Sequence, residues 1–135
     1  MSSTIAILGD GAWGTAVALL IANQPGTRVR LWSARADNAD LIRERRENVR
    51  FLPGVRIPQS IQLTADPKEA VQDADLWVSA IPTVYLRETI ARFKEFATPQ
   101  TPVLSLTKGI ELSRKLKLLS CLLTNFCSAL SIPPT

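Results

Sequence analysis

The chain contains no histidine. That excludes Ser-His-Asp and Cys-His nucleophile systems, and most zinc sites, so no metal centre is expected. Cysteine is scarce, with two in 135 residues. Cys121 and Cys127 are poorly spaced for a zinc hook with no histidine to help, and buried small hydrophobes are the expectation. The start, Met1-Ser2-Ser3-Thr4, lacks a basic leader region, so no secretory signal and a reducing cytoplasmic location are expected. No uninterrupted apolar run approaches the roughly 20 residues of a membrane span. A strong charge bias is missing as well. The formal charge is +4, but Leu112 to Thr135 holds three basic residues and no acidic one, leaving 13 basic against 12 acidic in the rest. A nearly neutral body gives no support for a nucleic-acid partner.

Apolar residues make up 46% of the chain, enough for one domain with a real core. The informative stretch is Gly9-Asp10-Gly11-Ala12-Trp13-Gly14, a G-x-G-x-x-G pattern. The apolar run Ile5-Ala6-Ile7-Leu8 leads into it, and the small-residue helical pattern Thr15-Ala16-Val17-Ala18 leads out. A strand, a tight turn and a helix in that order make a dinucleotide-binding fingerprint. Gly9 permits the turn, Gly11 lets a pyrophosphate approach the backbone, and Gly14 lets the helix pack on the strand. The helix N-terminus offers free N–H groups to the phosphates.

The rest alternates apolar runs with helical patterns, which predicts an α/β fold of the Rossmann type, a doubly wound parallel sheet. Strands are expected at about 4–8, 28–32, 61–64, 76–80 and 102–106. Helices are expected at about 12–23, 37–47, 67–73 and 83–96, with Asp37, Asp66 and Thr83 as caps. The charge run Arg43 to Glu47 reads as a solvated helix face. Residues 48–60, with Pro53-Gly54 and Pro58, read as irregular.

The end of the second strand bears on cofactor choice. An NAD site places a carboxylate there for the ribose 2′-hydroxyl. Here the residues are Trp32-Ser33-Ala34-Arg35. Arg35 is a candidate partner for a 2′-phosphate or a stacking surface for adenine, so NADP or NAD is expected, with the phosphate form favoured.

These motifs carry a family resemblance. Gly9 to Ala16, Arg46-Glu47-Asn48 with Phe51-Leu52-Pro53-Gly54 and Ile57-Pro58, Ala80-Ile81-Pro82-Thr83, and Leu104 to Glu111 with its Thr-Lys-Gly-Ile-Glu run stand in the order seen in NAD(P)-dependent glycerol-3-phosphate dehydrogenases, which residues 4–111 resemble. The resemblance implies that Gly9, Gly11, Ala12, Trp13 and Gly14 hold the cofactor pyrophosphate. It places Phe51 and Tyr85 near the cofactor, and it makes Lys108 the catalytic contact to nicotinamide and substrate. It implies a small phosphorylated substrate, dihydroxyacetone phosphate or sn-glycerol 3-phosphate, in phospholipid precursor supply. Oligomeric state stays open, a homodimer among the options. One departure is Ala34, where relatives often carry Arg or His.

Residues 1–111 are thus expected to be a dinucleotide-binding domain. Residues 112–135 form a Leu/Ser-rich tail in which no motif of the helical substrate domain is legible. A truncated or frame-shifted product, or a short amphipathic helix, are both consistent with it. Two functions stand side by side: an oxidoreductase, and a dinucleotide-binding module without catalysis.

Overall fold

The computed structural model describes residues 2–98 and 100–107. Seven strands and four α-helices follow along them. β1 (Ser3–Leu8) is followed by α1 (Ala12–Ala22), β2 (Thr27–Trp32) and α2 (Ala36–Arg45). β3 (Glu47–Asn48), β4 (Leu52–Arg56) and β5 (Ile61–Thr64) come next. Then follow α3 (Pro67–Val71), β6 (Leu76–Ser79), α4 (Thr83–Ile90), a 3-10 segment (Ala91–Phe96) and β7 (Val103–Ser105).

The main sheet has the order β5-β2-β1-β6-β7, and every pairing is parallel. Successive side chains of a strand face opposite sides of its sheet. Ala6 and Leu8 therefore join Trp32, Trp77, Leu86, Ile90 and Phe93 in one core. Ile7 joins Ala18, Val29, Leu31, Ile42 and Val78 in another. Both faces are covered, which explains why Trp77-Val78-Ser79 reads as a buried run without alternation. The order reverses at β1, whose flanks are β2 and β6. In open parallel sheets the crevice at such a switch point, outside the carboxyl ends, is where ligands bind.

Four details differ from the sequence expectation. Residues 48–60 are not irregular throughout, because β3 and β4 pair antiparallel around a bulge. Pro53 fits because β4 pairs on one side only, and Gly54 takes the positive φ of 83° that the bend requires. Asp37 is not the cap of α2. Arg35 occupies that position with no side-chain cap, and Asp37 lies in the first turn. The cap of α4 is Pro82, not Thr83, and the segment after Ile90 tightens to 3-10. The run Arg43 to Glu47 is not simply a solvated face. Arg43 donates to the Leu63 carbonyl at 2.7 Å, and Arg46 to those of Pro58 and Ile61 at 3.2 and 2.9 Å. These guanidiniums satisfy carbonyls along the β5 edge of the sheet. The expected Asp66 cap is present: its carboxylate accepts from the Lys68 N–H at 3.0 Å, with Pro67 at the first helical position.

Candidate functional site

Backbone hydrogen bonds tie the carboxyl ends of the strands into one rim. Ser33 donates to Thr64, Gly9 to Trp32, Ala80 to Leu8 and Leu106 to Ser79, at 2.8–3.1 Å. Above that rim lies a cleft of about 660 Å³, bounded by the β1–α1 turn, the end of β2, the start of α4 and Phe51.

The three glycines do different work. Gly9 sits at φ 121°, where side chains are strained, and an added Cβ would lie 2.8 Å from the Ala80 carbonyl oxygen. A Cβ on Gly14 would lie 2.0 Å from the Gly9 oxygen. These two are demanded by the fold, since β1, α1 and β6 meet there at backbone distance. Gly11 differs. Its φ of −64° and ψ of 180° are ordinary, and an added Cβ would meet nothing within 4 Å. Folding does not need a glycine at this place. The space beside it opens on the cleft, at the uncapped N-terminus of α1. Three or four amide donors and the positive end of the helix dipole face whatever enters.

A buried polar network holds this turn. Asn48, fully buried, donates through Nδ2 to the Asp10 carbonyl at 2.7 Å and to Thr15 Oγ1 at 2.9 Å. Its Oδ1 accepts from the Phe51 N–H at 3.3 Å. The β3–β4 ribbon is thereby fixed to the glycine-rich turn, and Phe51 is set at the cleft as a 46% exposed residue. Asn38 of α2 donates to the Asp10 carboxylate from the other side. Asn38 is 1% exposed, lines the cleft, and its Oδ1 has no hydrogen-bond partner among the described residues. A buried acceptor left without a donor costs about 1–3 kcal/mol, which a ligand hydroxyl or amine would relieve.

Trp32 forms part of the floor. It is fully buried, its Nε1 donates to the Ala65 carbonyl at 3.1 Å, and Phe93 meets it edge-on at 4.8 Å. Arg92 lies over the Trp32 ring at 4.9 Å and reaches the Ala34 carbonyl at 3.4 Å. Arg35 also lines the cleft, but its guanidinium is engaged twice by Asp37, at 2.8 and 3.2 Å. Arg50 approaches the same carboxylate at 3.8 Å. The hydrogen bonds from Arg35 first hold the Asp37 carboxyl below its ordinary range; desolvation opposes them, and the Arg35 charge, the Asn38 N–H and Arg50 add to the lowering.

Of the residues singled out in the sequence, Gly9, Gly11, Arg35, Phe51 and Tyr85 meet on this cleft. Phe51 and Tyr85 are exposed rather than core aromatics. Ala12, Trp13 and Gly14 form the first turn of α1 beside it. Lys108 and the segment after it lie outside the described residues. The residue before it, Thr107, is held: its Oγ1 donates to the Ile81 carbonyl at 2.9 Å, so the Ser79 hydroxyl, 3.2 Å away, donates to Thr107. Sequence reasoning missed Asp10, Asn38, Asn48 and Arg92. Asn48 stood inside a quoted motif, and its buried role depends on a contact 33 residues away. Among the described residues, no group of three acidic or cysteine side chains could hold a metal, and no helix is long and apolar enough to cross a membrane.

Comparisons with known proteins agree with this geometry. The family model for the N-terminus of NAD-dependent glycerol-3-phosphate dehydrogenase matches residues 4–131. The NAD(P)+ glycerol-3-phosphate dehydrogenase of Chlorobium phaeobacteroides strain BS1 is 45% identical over 108 residues, covering 80% of this chain and 32% of that protein. The enzyme of the same name from Moorella thermoacetica is 43% identical over 118 residues, covering 87% and 35%. The solved glycerol-3-phosphate dehydrogenase of Coxiella burnetii superposes with a TM-score of 0.83 at 30% identity, over 96% of this chain and 38% of that one. The chain spans about one third of the length of the curated relatives it matches. With the glycine-rich turn, the switch-point cleft and the family match over nearly its whole length, the chain belongs to the NAD-dependent glycerol-3-phosphate dehydrogenase family, in its N-terminal region.

Proposed function

We propose that residues 1–111 bind NADP or NAD as the dinucleotide domain of a dehydrogenase that interconverts dihydroxyacetone phosphate and sn-glycerol 3-phosphate. The observation that supports this most is Gly11: a glycine that neither backbone angle nor packing requires, beside the uncapped start of a helix in a cleft at the switch point. The cradle fits a pyrophosphate. Gly9, Gly11, Ala12, Trp13 and Gly14 would hold it. Arg35 would face the adenosine ribose, with Asn38 Oδ1 offering an acceptor to a hydroxyl. Phe51 and Tyr85 would flank the cofactor.

The nicotinamide, when bound, supplies or accepts hydride. The chain's own share is to orient it and to present Lys108, whose ammonium would attract a substrate phosphate or polarise a carbonyl oxygen. Thr107, the residue before it in the sequence, is tied to Ile81 and Ser79. A cytoplasmic location and a part in phospholipid precursor supply belong to the same reading, and the second rests on the resemblance alone. So does the boundary at Glu111, which the family match crosses.

Fluorescence titration of the 135-residue chain with NADH and NADPH tests the reading. Saturable binding of either, competed by the other, is expected. Absence of binding for both would remove it.

A further inference from the structure

The adenosine end of the cleft holds an arrangement that a plain 2′-phosphate site would not have. Arg35 is the cation expected to meet a 2′-phosphate. Its Nε and one terminal nitrogen both point at Asp37, at 3.2 and 2.8 Å, in the two-point geometry that a phosphate would otherwise take. Asp37 lies two residues along, in the first turn of α2, so the pair is built into the local chain. Arg50, from the β3–β4 turn, adds a second cation 3.8 Å from the same carboxylate.

We propose that Asp37, beside the cofactor cleft, is a specificity-determining residue that occupies the fork of Arg35 and so blunts discrimination between the 2′-phosphate and 2′-hydroxyl forms of the dinucleotide. The proposal rests on the dinucleotide reading given above. Its physics is competition. A 2′-phosphate carries close to two negative charges and must either displace Asp37 from Arg35 or sit beside a like charge. A 2′-hydroxyl needs neither, and Asn38 Oδ1, which has no partner among the described residues, offers it an acceptor. Arg35 and Asp37 are 64% and 57% exposed, so their pair is weak enough to open. The carboxylate therefore lowers the advantage of the phosphate form without removing it. Removing one charge, with the shape kept, frees the Nε and Nη2 edge of the guanidinium for the ligand.

The test is the ratio of NADH to NADPH dissociation constants, measured by titration of the full 135-residue chain at low salt. Asp37→Asn is expected to tighten NADPH by about tenfold while NADH moves less than about twofold, as the gain of a charge-assisted pair implies. The gain should shrink with added salt. In an Arg35→Gln background the same Asp37→Asn change should lose most of its effect. Asp40→Asn, which alters the neighbouring exposed Arg43 pair, should leave the ratio unchanged. A ratio unmoved by Asp37→Asn overturns the proposal, and so does a shift of equal size without the Arg35 guanidinium. If the unaltered chain binds neither dinucleotide, the functional reading falls and this inference with it. Binding without a change of ratio removes the inference alone.

Discussion

The side-chain amide of Asn48 donates to the Thr15 hydroxyl at 2.9 Å, joining a residue of the β3–β4 ribbon to one in the first turns of α1. Both are buried, and the same amide holds the Asp10 carbonyl. Asn48→Ala would leave that carbonyl and the Thr15 hydroxyl without this donor. A loss of about 1–3 kcal/mol is expected, read from the urea midpoint. Because Asn48 also accepts from Phe51, dinucleotide affinity should fall further than in Thr15→Ala, which keeps the Phe51 contact. Equal affinity losses in the two variants would show that the ribbon does not help to shape the cleft.

Gly11 and Gly14 should respond in opposite ways. In Gly11→Val the stability should stay within about 0.5 kcal/mol of the unaltered chain, as at any open position with compatible backbone angles. Its dinucleotide affinity should fall at least about 100-fold, since the side chain fills the approach to the amide donors. Gly14→Ala should unfold about 3 kcal/mol more easily, because its Cβ meets backbone that cannot swing aside. Denaturation and titration of both variants separate the two roles. Retained affinity in the valine variant would place the ligand elsewhere.

Asp37 sets a pH dependence whose sign follows from the depressed carboxyl. Its ordinary value is 3.8, and Arg35 lowers it in the folded chain. The ion pair's contribution to stability is therefore present above about pH 4 and is lost as pH falls through the depressed value. The side chain is exposed, so the contribution is small. Urea midpoints of the unaltered chain and Asp37→Asn should differ slightly at pH 7 and converge in acid. A gap that widens in acid would contradict the assignment.

The isolated 135-residue chain should bind the dinucleotide and turn over no dihydroxyacetone phosphate. Positioning the substrate carbonyl against the nicotinamide supplies a large share of the rate. Lys108 would have to bind phosphate and deliver the proton at once, and no histidine exists to share the work. Loss of reduced-nicotinamide absorbance with this substrate is the assay. Turnover that disappears in Lys108→Ala would show that the first domain suffices.

Most of the main sheet was legible because its strands are covered on both faces. Residues such as Ile5 to Leu8 and Leu76 to Val78 are apolar for a reason that acts locally. The β3–β4 ribbon was not, since Pro53 and Gly54 are turn signals in the sequence and become strand residues only through one-sided pairing with Asn48 and Glu47. The phosphate turn was legible from glycine spacing, because Gly14 packs on the nearby Gly9; the contact of Gly9 with Ala80 was not. The adenosine end was half legible. Arg35 could be named, but the partner that holds its guanidinium, and the Arg92 that covers Trp32, depend on side-chain directions that spacing does not give.

β1 is the centre of the sheet and also the first of its strands in chain order. One of its edges can pair with β2 almost at once. The other waits for β6, and the contact that introduces it, from the Thr4 N–H to the Asp75 carboxylate, spans 71 residues. At ribosomal speeds of about 5–20 residues per second that wait is roughly 4–14 s, against microseconds for apolar collapse. During translation the central strand of the sheet thus presents an open apolar edge. A nascent chain arrested before Asp75 should be a ready substrate for chaperones and proteases, and one extended past β7 should resist them.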